Sequence, residues 1–324
     1  MRTSFREKAE YHAAQMYYAE NRTMESIAGE LGISRSTVSR LLAEARDQGI
    51  VRISLHPPIE RPSALEHLIS ERHGVAAHVA SSTPETEPSQ RRDAVAVLAA
   101  EVLDALVRPD AVIGVAWGQT MTSVVTRLPR RPVRNVEVVQ LNGAVNSQPE
   151  GTSVGLGTGM SVVENFARAF DARAHVFAVP AFFDYEETKE ALWRERSTLR
   201  VLDLHHRATV AVFGVGTFGQ GAPSQVYAGG YLSREDIDAL TAERAVGDVC
   251  TVYLRADGSW EDIGLNRRSS GPSPDALRGV PRRVCVVNGP QKVPALRAAL
   301  AAGLVTDLVI DQVSADLLAG SAAG

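Results

Sequence analysis

Apolar residues between positions 27 and 51 (IAGELGISRSTVSRLLAEARDQGIV) recur at Ile27, Leu31, Ile33, Leu41, Leu42 and Ala45. This spacing predicts two short helices sharing one buried face. Gly32 falls between them, where a tight turn needs a residue free to take a left-handed backbone, and the second helix is expected to start at Ser34 or Ser36. Ala28, Gly32 and Val38 supply the small contact residue, the turn residue and the apolar inner residue that a helix-turn-helix requires. The outer side of the second helix carries Arg35, Ser36, Thr37, Ser39 and Arg40. Short hydroxyls and guanidinium groups bond to phosphates and base edges, and the free amides of a helix start favour phosphate as well. An ordinary amphipathic hairpin exposes Glu and Lys instead, so these five residues are assigned to DNA binding.

The flanking pattern completes a domain. Tyr11, Ala14 and Tyr18 sit at helical spacing and predict a helix covering the back of the hairpin, and Thr23 reads as the N-cap of the next helix. Beyond Gly49, the segment IVRISLHPP predicts a short strand in the position of a wing, with Arg52 on it for the DNA backbone. Pro57, Pro58 and Pro62 interrupt regular pairing. The expected organisation is therefore a helix-turn-helix domain at 1–56, a linker at 57–62 and a second domain at 63–324.

From residue 63 onward the pattern alternates. Helices are expected at SALEHLISERHG, 90–107, Gln119 to about Leu128, 160–170, 233–243 and 291–302. Strands are expected at VAAHVA, AVIGVAW, VEVVQL, AHVFAVP, TVAVFGVG, VCTVYL, RVCVVNG and DLVIDQ, with a last helix after them. Continuous Val/Ile runs separated by amphipathic helices signal a parallel sheet covered on both faces. The fold class is α/β: an N-terminal all-α (winged) helix-turn-helix domain followed by a doubly wound α/β domain. Such sheets bind ligands at the carboxyl ends of their strands.

Four junctions at those ends contain glycine: Trp117–Thr120 (WGQT), Asn142–Asn146 (NGAVN), Phe213–Gly221 (FGVGTFGQG) and Asn288–Lys292 (NGPQK). Their backbone amides are candidates to converge on an anionic group. The effector-site candidates are Gly118, Gln119, Thr120, Asn142, Gly143, Gly216, Gly289 and Lys292. A lysine at a helix start opposes the helix dipole unless an anion lies between them. Asp248, in AVGDVC, is either an acceptor for sugar hydroxyls or a turn aspartate. His205 and His206 have no spaced partner and read as surface residues, and the acidic residues 184, 186 and 187 beside Lys189 read as a solvated helix start.

Composition narrows the function. The chain has 324 residues and a net charge of −4, which excludes a surface that coats nucleic acid along its length. Positive charge is local: four arginines lie between Arg35 and Arg52 against Glu44 and Asp47. Cys250 and Cys285 lie in apolar runs without metal-ligand spacing, so they are expected to be buried strand thiols, with no metal site and no cofactor. No run of 18 apolar residues occurs, so no membrane span is expected, and the protein is placed in the cytoplasm.

The sequence LGISRSTVSRLL, a segment ending IVRI, then VAWGQT, AVGDV, ADG, VNGPQK and VIDQVSADLL follow one another along nearly the whole chain. In this order they resemble the SorC family of bacterial sugar-responsive transcriptional regulators. The resemblance implies a sugar-binding effector domain related to phosphosugar isomerases and deaminases, a sugar, sugar phosphate or sugar alcohol as ligand, and a homodimer or homotetramer on a palindromic double-stranded operator. It also implies that Gly118 and Thr120 cradle phosphate while Asp248 and Lys292 line the pocket. The chain departs from the family pattern at Asn288-Gly289, where a double glycine is usual, and at Ile310-Asp311-Gln312, where the pattern is TDE. The function expected is a ligand-controlled DNA-binding regulator of carbohydrate metabolism, not an enzyme. The alternative is a sugar-phosphate isomerase or deaminase, for which Asp248, Lys292 and Asp311 are the acid-base candidates.

Overall fold

The computed structural model describes residues 2–20, 22–47, 50–51, 63–144, 156–217, 227 and 230–320. The expected wing strand with Arg52, Gly49, the linker prolines and parts of the second and third glycine junctions lie outside the described residues. Two compact units divide the chain, Met1–Arg61 and Pro62–Gly324.

In the first unit, α1 (Arg2–Ala14) runs into a π-helical turn (Gln15–Ala19), followed by α2 (Met24–Leu31) and α3 (Arg35–Asp47). Thr23 caps α2 by accepting from the Ser26 amide at 3.2 Å, and Gly32 ends it in the left-handed region at φ 65°. Ser34 begins the next helix by accepting from the Thr37 amide at 3.2 Å. Ala13, Ala14, Met16, Ile27, Val38, Leu41, Leu42 and Ala45 form the core. Tyr11, expected on the buried face of α1, is 58% exposed. The stripe that packs runs through Ala13, Ala14 and Met16, and at 100° per residue Tyr11 falls away from it.

The second unit is built on a seven-stranded parallel sheet whose strands lie in the order Ala76–Ala80, Asp307–Asp311, Arg282–Val287, Val210–Phe213, Val112–Val115, Glu137–Gln140 and Arg173–His175. Chain order gives α4 (Ala64–His73), β1 (Ala76–Ala80), α5 (Pro88–Leu106), β2 (Val112–Val115), α6 (Gln119–Val125), β3 (Glu137–Gln140), α7 (Leu156–Phe170) and β4 (Arg173–His175). Next come α8 (Glu186–Leu192), α9 (Arg196–Arg207), β5 (Val210–Phe213), β6 (Val215–Gly216), α10 (Arg234–Ala242), β7 (Ala245–Val249) and β8 (Val252–Arg255). The chain then forms α11 (Pro274–Arg278), β9 (Arg282–Val287), α12 (Val293–Ala301), β10 (Asp307–Asp311) and α13 (Gln312–Gly320). Strand residues alternate between two apolar layers. Val210, Val212, Val284, Val286 and Val309 pack with α5, α6 and α7. Ala211, Phe213, Cys285, Val287, Leu308 and Ile310 pack with α4, α9, α12 and α13. This is the doubly wound arrangement that the hydrophobic runs predict.

Several segments differ from expectation. Of AHVFAVP only Ala174 and His175 pair, in β4, because the Phe177 amide turns to the Gln140 side chain at 3.3 Å and its ring packs on Trp193 and His205. TVAVFGVG divides at Gly214, its first half joining the parallel sheet and its second half, β6, a three-stranded antiparallel sheet with β7 and β8. VCTVYL is not one strand. Cys250 and Thr251 form the turn between β7 and β8 with φ of 49° and 70°, so of the two buried thiols only Cys285 lies in a strand. Two successive positive φ values suit a two-residue hairpin, and here non-glycine residues adopt them because Asp248 Oδ2 accepts from the Thr251 amide at 3.0 Å and the Thr251 hydroxyl lies 3.0 Å from Ser269 Oγ. His205 is buried, at 8% exposure, and its Nε2 donates to the Gln140 carbonyl at 2.8 Å.

The small sheet is held tightly against α12. A Cβ at Gly247 would lie 2.3 Å from the Gly216 carbonyl oxygen and 2.4 Å from Ala295 Cβ. Gly247→Val is therefore expected to lower unfolding free energy by about 1–3 kcal/mol, the usual cost of overpacking. An unchanged midpoint in urea denaturation would show that the hairpin and α12 separate freely.

Candidate functional site

Chain connections leave β2 toward β3 and β4 on one side, then return to β5 on the other, so the strand order reverses between β2 and β5. Loops at that reversal diverge and leave a crevice at the carboxyl edge. A cavity of about 190 Å³ opens there. Its wall is assembled from Trp117 and Gly118 after β2, Gln119 and Thr120 at the start of α6, and Asn142 after β3. Gly216 of β6 and Asp248 of β7 add to it, with Lys292 beyond β9. Residues from five separate sequence segments thus meet in one place.

Two of the expected residues are not on that wall. The Gly143 amide donates to Ser270 Oγ at 2.9 Å, its carbonyl accepts from Trp117 Nε1 at 2.8 Å, and a Cβ there would lie 2.3 Å from the Val179 carbonyl oxygen. Gly289 takes φ 99° and donates its amide to Asp311 Oδ2 at 2.8 Å. Both amides are consumed by side chains, so neither is available to an anion; these glycines shape the loops that carry Asn142 and Lys292.

Sequence reading missed Arg92, on α5, which also lines the cavity together with Asn288, Gln291, Cys250 and Thr251. Arg92 lies in an ordinary amphipathic helix, so no local signal marked it. The strained turn at Cys250-Thr251 was hidden because neither residue is a usual turn former.

The cavity holds two kinds of chemistry. Lys292 Nζ lies 3.4 Å from Thr120 Oγ1, which in turn donates to Asn288 Oδ1 at 3.2 Å. Burial holds the Lys292 ammonium below its ordinary range, with the nearby Asp248 carboxylate working in the opposite direction. Asp248 is buried, and that burial pushes its carboxyl up to about 6, against the Thr251 amide and Lys292, which both favour the anion. Its second oxygen, Oδ1, is buried without a hydrogen-bond partner among the described residues, and so is Asn142 Oδ1. An unmet buried acceptor costs free energy until a donor reaches it. No group of three or more potential metal ligands occurs among the described residues.

In the first unit, Arg35, Ser36, Ser39 and Arg40 are exposed on α3. Thr37 is half-buried, and Ser34 Oγ lies 2.8 Å from both Ser36 Oγ and Thr37 Oγ1. Those hydroxyls knit the helix start while Arg35 and Arg40 have no ion-pair partner among the described residues. Arg46 is used differently, donating to Tyr18 OH at 3.2 Å and tying α3 to the preceding helical segment.

The family described as "Putative sugar-binding domain" matches residues 57–319, and "Sigma-70, region 4" matches residues 13–48. A deoxyribonucleoside regulator of Bacillus subtilis (strain 168) is 31% identical over 307 residues, which cover 94% of this chain and 95% of the relative. The full-length sorbitol operon regulator SorC of Klebsiella pneumoniae superposes with a TM-score of 0.77 at 26% identity, over 96% of this chain and 98% of that one. A domain described as that of a possible sugar-binding transcriptional regulator from Arthrobacter aurescens TC1 superposes with a TM-score of 0.74 at 43% identity, over 82% of this chain and 100% of the domain. The chain belongs to the SorC family of sugar-binding transcriptional regulators, with a helix-turn-helix head and a doubly wound sugar-binding domain.

Proposed function

We propose that the protein is a cytoplasmic DNA-binding regulator of carbohydrate metabolism, controlled by a sugar, sugar phosphate or sugar alcohol bound between β2 and β5. The observation that carries this reading is the pair of unmet acceptors, Asp248 Oδ1 and Asn142 Oδ1, in the same cavity as Lys292 and Arg92. A polyhydroxylated ligand brings hydroxyl donors for the two acceptors. A phosphate on that ligand would be held by Lys292 and Arg92, with Gly118 and Thr120 at the start of α6 as further donors. Four of the five exposed or half-exposed polar positions at the start of α3, Arg35, Ser36, Ser39 and Arg40, are assigned to operator bases and phosphates, with Thr37 bracing the helix start and Arg52 reaching the DNA backbone.

A single helix in one half-site makes too few contacts for specific affinity, so a homodimer or homotetramer on a palindromic operator completes the reading. The effector regulates to the extent that it binds two arrangements of the assembly with different affinity. Sugar-phosphate isomerisation or deamination would need a free acid-base pair beside the ligand. Asp311 is not free for that role: Oδ2 accepts from the Gly289 amide and the Ser314 hydroxyl, and Oδ1 from the Ser314 amide. Asp248 and Lys292 are then left as ligand-binding groups, and no enzymatic activity is assigned.

Arg40→Ala should weaken operator binding by about 1–3 kcal/mol in a gel-shift titration; an unchanged operator affinity would remove α3 as the reading helix. In a thermal-shift panel of sugars, polyols and their phosphates, a binder should raise the melting point of the wild type. Asp248→Asn should weaken that binder by about tenfold, as expected for losing a charged acceptor. Equal affinity for both proteins would remove Asp248 from the ligand.

The same variant separates ligand binding from folding. Between the ordinary carboxylate value near about 4 and about 6 the folded state keeps the Asp248 proton while the unfolded state has lost it, so rising pH costs stability. The melting-point advantage of Asp248→Asn over the wild type should grow as pH rises through that window and level off above it. A constant difference would show that Asp248 ionises as it does in water.

A further inference from the structure

A larger cavity, of about 400 Å³, lies apart from the proposed effector site and shares no lining residue with it. Its volume falls within the range of small-molecule sites. The wall is mostly apolar and includes two of the three tryptophans, Trp193 and Trp260, with Leu202, Leu277 and Val280. Trp193 is fixed by Phe177 and Phe183, whose rings lie 5.6 Å away. Trp260 Nε1 is buried without a hydrogen-bond partner among the described residues. A buried indole N–H without an acceptor is unusual, since tryptophan normally pairs that group.

The charges at the wall are unequal. Lys189 lies over the Trp193 ring at 5.6 Å and donates to the Arg267 carbonyl at 3.0 Å. It has no ion-pair partner among the described residues. Glu261, the one carboxylate on this wall among the described residues, is exposed and accepts from the Trp260 amide at 3.0 Å with one oxygen. Arg267 is paired with Glu186 at 3.0 Å. What remains on this mostly apolar wall is an indole donor without a partner among the described residues and an ammonium with no ion pair among them, its charge favoured by the Glu186 and Glu190 carboxylates.

We propose that this cavity is a second ligand site, for an aromatic or heteroaromatic carboxylate. The ring would lie on the tryptophan and leucine wall, and the carboxylate would accept from Trp260 Nε1 and Lys189. A ring of this kind presents two apolar faces for aromatic stacking, where a sugar presents hydroxyls, and its acid group supplies the acceptor that the buried indole lacks.

Naphthoate is a suitable probe, titrated calorimetrically into the full-length protein beside the neutral naphthylmethanol. One naphthoate per chain should bind, and the alcohol should bind about tenfold more weakly. Trp260→Phe, which keeps an aromatic ring and removes the donor, should weaken naphthoate several-fold and leave the alcohol nearly unchanged. Ala276→Trp, at an exposed position on the cavity wall, should block both, while Lys292→Met in the effector cavity should block neither. Circular dichroism and light scattering on each variant check the fold and the assembly. The proposal is overturned if naphthoate fails to bind the folded wild type, or if Ala276→Trp binds it as the wild type does. It is equally overturned if Lys292→Met abolishes binding. A fall in oligomer mass for Ala276→Trp, without naphthoate binding to the wild type, would identify the cavity as a face covered by a second copy. Because Lys292→Met and Ala276→Trp act on different cavities, failure here leaves the proposed effector site standing.

Discussion

Parallel strands whose connections turn away in opposite directions cannot close over the gap between them. In this protein the reversal between β2 and β5 leaves such a gap, and the rest of the second domain is arranged around it. Small residues allow the walls to approach: Gly247 lets α12 pack on the antiparallel hairpin, and Gly114 leaves room for Leu141 above β2. The hairpin carries Asp248 to the gap, and α12 with its preceding loop carries Lys292. Neither side chain could reach the other from its own segment.

Burying the Asp248 carboxylate in that gap disfavours its anion. Desolvation dominates its ionisation, and the Thr251 amide and Lys292 offset only part of it. The Cys250-Thr251 turn that delivers the amide is itself strained, with two non-glycine residues at positive φ. A donor that reached Asp248 Oδ1 would satisfy the unmet acceptor, while the backbone strain of the turn stays built into the wall. His205 shows the opposite use of burial. Its ring is pushed down to about 4, stays neutral, and donates one hydrogen bond to the β3 backbone just before Asn142. It supports the wall without adding charge to it.

The head domain follows a different rule. Its core is small and its outer face is polar by design of the helix start: Ser34 holds the cap, neighbouring hydroxyls close on it, and Arg35 and Arg40 are left unpaired among the described residues. Guanidinium groups with no intramolecular partner lose little when they transfer to phosphate or guanine, which is why local charge matters here more than the net charge of −4.

Much of this was legible in the sequence, for physical reasons tied to range. Period-3.6 spacing places Ile27, Val38 and Leu42 in one core, and Gly32 at φ 65° is turn chemistry that a single residue announces. Uninterrupted valine runs announce a parallel sheet, and glycine after a strand announces a junction. What a junction's amides then bond to depends on residues far away. Ser270 takes the Gly143 amide from 127 positions along the chain, and Asp311 takes that of Gly289 from 22 positions. Arg92 reaches the cavity only because α5 crosses that edge of the sheet, and His205 is buried only because α9 packs against β3. Local pattern determines which elements form, because backbone geometry and side-chain period act within a few residues. Tertiary packing alone decides which polar groups are left without partners, and those groups define the site.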